Sequence, residues 1–361
     1  MWAVGDRPTM EVAVALDILW PENRIRRLAE VAREHGYDQL WVSDHPLGRD
    51  PFLTLLDLAR SVDQIKLGIA TINPSARHPA VLAASAATLS QCTSGRFWLG
   101  IGSSNASLLS PIGLDNRLQA RRCRDAVIII RQLLEKGGST FSSQLYTTTD
   151  ARLMFPDLAP VPVLVGTSGG PEMLRISGEV AHGIIIPAGN LALYTYLIDT
   201  FREAYHAGGR PERPHIVLLG NVAIAAEPAP AIAAIRPLVA QALSYRARTG
   251  HALPHMGITR EQALEWTHHP EMIPDSVVRA AAMIGTPAEC VDALVRFASL
   301  GVTQFALRFP DEETVRQFGT GVLPAFRQRL RGEPVRGPDN PSTSAQYAAR
   351  PQPHEEELEP C

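Results

Sequence analysis

Short apolar runs alternate along this chain with longer stretches whose apolar residues fall at helical spacing. The runs lie near residues 12, 40, 67, 98, 162, 184, 217 and 305. Each is bounded by turn residues, which marks strands buried on both faces, as in parallel sheets. Between them, Ile25, Leu28, Ala29 and Ala32 share one helix face, and Leu118, Cys123, Val127, Ile128, Ile130 and Leu134 mark another. Gly36 closes the first of these helices. Pro79 and Pro287 stand at first helical positions, the latter behind Thr286 with Glu289 following. Strand followed by helix, repeated eight times, predicts an α/β fold of the (β/α)8 TIM-barrel type with insertions. A doubly wound open sheet is the runner-up.

The clearest unit is 66–105, which reads strand, loop, helix, turn, strand, loop. A right-handed crossover makes its two strands parallel, so both send their C-terminal loops to the same end of the sheet. In α/β folds that end binds ligands. Two stretches break the alternation. Residues 137–160 read as an irregular inserted loop, and 247–274 as a lid-like insertion or irregular helices. From 332 onward the chain is rich in proline and glutamate and cannot bury a core. The domains are therefore an N-terminal lead at 1–9, a barrel at 10–331 and a disordered polar tail at 332–361.

Composition narrows the class. Of 361 residues, 45% are hydrophobic and 20% charged, with a net charge of −3, so nothing favours nucleic acid or an anionic membrane. No apolar run is long enough to span a bilayer. The four cysteines form no CxxC pair, which fits free thiols and a cytoplasmic protein.

Candidate chemistry clusters at the predicted C-terminal ends. Asp44 and His45 follow the second strand; a histidine there can pass a proton or orient a ring. The stretch 69–73, with Ala70, Thr71 and Asn73, can form a shelf for a flat ring, although plain core explains it as well. Arg77 could meet an anion, or simply point into solvent. Gly102, Ser103, Ser104 and Asn105 allow close backbone approach, but they lack the third glycine of a dinucleotide fingerprint. Gly166, Thr167, Ser168, Gly169, Gly170 and Pro171 lead into a helix N-terminus, a physical basis for phosphate binding. His182 precedes a strand, away from the ligand end, and reads as a surface histidine. There is no GxSxG elbow, which argues against a hydrolase.

The segments 34–45, 72–89, 95–105, 169–186 and 284–294 together resemble the luciferase-like monooxygenase superfamily, and most closely its coenzyme F420-dependent branch. The Asn73-Pro74 … Arg77-His78-Pro79 element is the most specific of these. The resemblance implies a bacterial luciferase-like barrel holding a deazaflavin at its mouth. It implies a non-prolyl cis peptide at Ala70–Thr71 in a bulge behind the ring, a role for His45 beside it, and phosphate at the glycine-rich loop. It also implies hydride transfer to a small organic substrate with a C=N, C=C or C=O group. Substrate loops at 137–160 and 247–274, a homodimer and a separate flavin or F420 reductase as electron source complete the expectation. An FMN-dependent monooxygenase is the alternative, and a non-catalytic flavin- or deazaflavin-binding protein a second. Two departures stand out: Ser104-Asn105 replaces a Gly-Glu or Gly-Asp pair, and His182 replaces an Asp.

Overall fold

A computed structural model describes residues 10–332, apart from 104, 105, 116 and 211. The expected lead at 1–9 and, except for Gly332, the expected tail lie outside the described residues. Eight parallel strands close into a barrel: β1 (Glu11–Leu16), β2 (Gln39–Val42), β3 (Lys66–Ile72), β4 (Phe97–Gly102), β5 (Val163–Gly166), β6 (Gly183–Ile186), β7 (His215–Ile224) and β8 (Gln304–Arg308). Each pairs with the next, and β8 pairs back to β1 with Val14 opposite Leu307. The closed (β/α)8 barrel, rather than the open sheet, is the fold.

Outward and inward side chains alternate along the strands, β3 shifting register between Ile69 and Ile72. Val12 and Val14, Leu40 and Val42, and Phe97 and Leu99 point outward under the helices. Ala13, Trp41, Trp98, Leu164, Ile185, Val217 and Ala306 fill the interior. The Trp41 and Trp98 rings meet edge-on at 6.2 Å, and a Cβ on Gly68 would lie 2.4 Å from the Trp41 ring.

The N-terminal end of the barrel is closed by polar side chains. The Trp41 indole donates to Gln304 Oε1 at 2.7 Å, and Gln304 Nε2 donates to Glu11 and Gln39, both at 2.8 Å. Lys66 pairs with Glu11 and lies over Trp98. His215 packs on the other side of Trp98, ring centroids 4.4 Å apart. These groups leave no passage through the barrel and direct any ligand to the opposite mouth.

The first insertion differs from the sequence expectation, and the second takes the helical one of its two expected forms. Residues 137–160 contain an antiparallel hairpin, Gly138–Ser142 with Thr147–Arg152. The β-branched threonines 147–149 supply its strand propensity, and the Ser139 and Thr148 hydroxyls bond across it at 2.8 Å. Residues 247–274 are ordered helices behind the long helix Pro228–Thr249: Leu253–Met256, and Arg260–His268 with a Thr259/Gln262 capping box. They bury Trp266 in a small core of their own. A short strand, Met283–Gly285, pairs in parallel with the C-terminal end of β7, Val222–Ile224; three residues are too few to register as a periodic run. The last helix is broken by a wide turn at Phe318–Val322.

Burial beside Lys66 and His182 lowers the His215 pKa from 6.5 to about 4. Between those values the unfolded chain binds a proton that the fold rejects, so stability falls as pH drops through that window, by up to about 3 kcal/mol. Urea unfolding of His215→Asn from pH 7 to pH 4 will show a flatter stability profile than wild type. An unchanged slope would exclude His215 as its source.

Candidate functional site

The mouth is built around Thr71. Strand β3 carries a bulge between Ile69 and Ile72 where it pairs with β4, and within it the Ala70–Thr71 peptide is cis. Thr71 leans across β4 and β5, where three glycines make room. A Cβ on Gly102 would stand 2.0 Å from Thr71 Oγ1, one on Gly166 2.6 Å from Thr71 Cγ2, and one on Gly100 3.2 Å from Thr71 Cγ2. Gly102 and Gly166 are direct partners in the β4–β5 ladder. The result is a flat floor with little projecting side chain.

Asn73, fully buried, ties this floor to the next loop. Its Nδ2 donates to the Ser103 carbonyl at 2.7 Å, and its Oδ1 accepts from Ser75 N–H at 2.6 Å. Burial raises the Asp44 pKa, opposed by the nearby Asn73 backbone N–H and by the charges of Arg77 and His45. His45 is half-buried beside it, held in a tight turn by Gly48 N–H on its carbonyl at 2.8 Å. Ser103 is half-buried, and Ser104 and Asn105 lie outside the described residues.

Arg77 is committed elsewhere. It pairs with Asp50, which caps the helix Pro51–Ser61 by accepting from Phe52 and Leu53 N–H. Burial pushes the Asp50 pKa up, but Arg77 and those two N–H groups pull it further down, to below its usual value. His78 caps its own helix and lies edge-on to Tyr146, whose hydroxyl donates to the Pro74 carbonyl at 2.9 Å. The hairpin insertion thus reaches the β3 loop through Tyr146. His182 is bonded rather than free in solvent: Nδ1 accepts from Val163 N–H at 3.0 Å and Nε2 lies 3.2 Å from Glu135.

The second half of the mouth is the loop after β5. Thr167 is buried, Ser168 exposed, and Gly169 has φ +111°, which only glycine adopts readily. Thr167 Oγ1 accepts from Gly169 N–H at 3.1 Å. Gly170 is the N-cap of the helix Pro171–Val180 and carries no capping side chain, so the first-turn N–H groups stay available to an anion.

Sequence reading missed the groups that cover this loop. Tyr196 donates to the Gly169 carbonyl at 3.4 Å, and His255 stacks on Tyr196 at 3.8 Å. His251 lies beside Gly170. Arg246, nearly fully buried, donates to the Ala188 carbonyl and to Met256 Sδ, pinning the helical insertion to the loop after β6. No periodicity marks these positions, because their neighbours come from distant parts of the chain. Among the described residues no group of three acidic, cysteine or histidine side chains could hold a metal.

A floor cleared of Cβ atoms beside an uncapped helix N-terminus fits a flat ring that carries a phosphate. The family model of luciferase-like monooxygenases matches residues 15–304, and the chain belongs to that family. It is 25% identical over 316 residues to a 5,10-methylenetetrahydromethanopterin reductase of Methanolobus tindarius, covering 84% of this chain and 96% of the relative. It is 27% identical over 323 residues to an F420-dependent glucose-6-phosphate dehydrogenase of Kineococcus radiotolerans, covering 84% and 93%. Its fold is similar to that of the coenzyme F420-dependent tetrahydromethanopterin reductase of Methanopyrus kandleri, with a TM-score of 0.77 at 23% identity over 88% of this chain and 99% of that one.

The floor geometry makes a double-mutant test. Gly166→Ala will destabilise the protein by about 1–3 kcal/mol through overpacking against Thr71 Cγ2. Thr71→Ser, which removes that methyl, will recover at least half of the loss. Chemical unfolding of the four proteins measures the coupling; strict additivity would show that the two residues do not meet.

Proposed function

We propose that this protein is a coenzyme F420-dependent oxidoreductase acting on a small organic substrate with a C=N, C=C or C=O group. The observation that carries the reading is the floor of Gly100, Gly102 and Gly166 around Thr71, next to the uncapped loop 166–171. The names of the two relatives above agree with it. When bound, the deazaflavin gives or takes the hydride. Ala70, Thr71 and Asn73 back the ring, and Gly102 and Ser103 flank it. Gly166, Thr167, Ser168, Gly169, Gly170 and Pro171 hold its phosphate. The hairpin and the helical insertion exclude water and shape the substrate pocket.

His45 is the candidate for moving a proton at the ring edge or substrate. Position 105, an asparagine, offers no carboxylate, whereas Asp44 lies beside His45 with its pKa raised by burial. Asp44 therefore holds a proton more readily than a free aspartate and can support His45. The reading includes a cytoplasmic homodimer and a separate reductase that supplies the reduced cofactor.

Titration with coenzyme F420 and with FMN tests this directly. The deazaflavin will bind tightly, and its reduced form will be oxidised by substrate without oxygen. Tight binding of FMN alone, with oxygen-dependent turnover, would replace the reading with a monooxygenase. Binding without turnover across a broad panel of imines, enones and carbonyls would point to a non-catalytic binder. His45→Ala will lower kcat by about 10²–10⁴-fold with little change in cofactor affinity; an unchanged kcat would remove His45 from the chemistry.

A further inference from the structure

We propose that Arg308 anchors a carboxylate on the substrate, so that the substrate is an imine, alkene or carbonyl compound that also bears a carboxylate. The inference rests on the oxidoreductase reading above. Arg308 is the last residue of β8. Ala306 fills the barrel interior, whereas Leu307 and Phe309 pack outward under the helices. Alternation along the strand therefore turns Arg308 to the inside, one layer above Ala306. Its partner across the ladder with β7 is Asn221, which follows inward-facing Leu219 on the same face.

This placement divides the mouth in two. In a closed barrel of eight strands β8 lies opposite β4, so Arg308 stands across the opening from Gly102. The half built from β3, β4 and β5 is the bare floor of Thr71 and its glycines. The other half is polar: Asn221 and Arg308 on β7 and β8, Asp17 directly after β1 and Ser43 directly after β2. A ring resting on the glycines leaves the polar half to the substrate.

Other arginines around the mouth are already committed. Arg77 pairs with Asp50. Arg24 donates to the Pro310 carbonyl at 2.8 Å, and Arg49 to the Ile18 and Trp20 carbonyls at 3.1 and 2.9 Å. Arg246 donates to the Ala188 carbonyl. Arg308 is half-buried, and its guanidinium has no hydrogen bond or ion pair among the described residues. The half-buried side-chain amide of Asn221 has none either. Asp17 accepts from Leu19 N–H at 2.9 Å and forms no ion pair with Arg308. A guanidinium drawn partly out of water without a counter-ion is costly. A carboxylate held bidentately supplies both the charge and the hydrogen bonds it lacks. One positive charge in a layer shared with Asp17 suits a monoanion better than a phosphate dianion.

Ligand-observed NMR tests this on the protein loaded with oxidised F420, with 4-oxopentanoate and cinnamate compared against their methyl esters. Wild type will bind each acid about tenfold or more tighter than its ester. Arg308→Gln will bring that ratio to within about twofold of unity, and Arg308→Lys, which keeps the charge but not the fork, will retain part of it. Neither variant will change the affinity for F420, read by fluorescence quenching. Equal binding of acid and ester by wild type, or an unchanged ratio in Arg308→Gln, would overturn the anchor and leave the F420 reading intact. Weaker F420 binding in Arg308→Gln would assign the residue to the cofactor and overturn the anchor as well. Failure of the deazaflavin to bind at all would overturn the F420 reading, and the acid–ester ratio on the protein without cofactor would then decide the anchor by the same criteria.

Discussion

Thr71 needs space that only glycine leaves. Its side chain points where a Cβ at position 100, 102 or 166 would stand, and two of those contacts would fall below 3 Å. The rest of the mouth follows from that constraint. The extra residue in β3 turns Thr71 toward β4 and β5, and the register sets Gly102 against Gly166 in front of it. Two strands with glycine at facing positions can approach a planar ligand closely. A side chain at any of the three glycines would meet Thr71, so the three positions are coupled through it.

Asn73 makes the floor rigid. A buried amide must satisfy its polar atoms, and this one does so with Ser103 and Ser75. The loops after β3 and β4 are thereby held in one arrangement, with Asp44 of the β2 loop close by. A residue buried to satisfy its own hydrogen bonds fixes the placement of its half-exposed neighbours, Asp44, His45 and Ser103.

The barrel was legible in the sequence because parallel strands are covered on both faces. Each of the eight gave a continuous apolar run, and Leu40–Val42 or Val163–Val165 can hardly be read otherwise. The hairpin was not legible: Thr147, Thr148 and Thr149 are polar enough to resemble a loop, and their strand character needs a partner to show itself. The helices at 253–268 depend on a small core assembled around Trp266, with contacts that no local window contains. Glycine-rich loops at the mouth stood out by composition alone. Tyr146, Tyr196, Arg246, His251 and His255 did not, since each acts on a segment between 27 and 81 residues away or on a single backbone carbonyl.

The two ends of the barrel divide the polar groups by what surrounds them. At the closed end, Gln304 satisfies Trp41, Glu11 and Gln39 at once, and burial holds His215 neutral above about pH 4. Those groups bond mainly to one another, with Gln39 Nε2 the one buried side-chain atom among them that lacks a partner among the described residues. At the open end, Gly170 leaves N–H groups uncapped, Asp44 is shifted toward its protonated form, and the floor is cleared of side chains. Each of these costs stability in the empty protein. A bound anion and a planar ring would supply the missing partners, so ligand binding and folding are thermodynamically linked at the mouth and independent at the base.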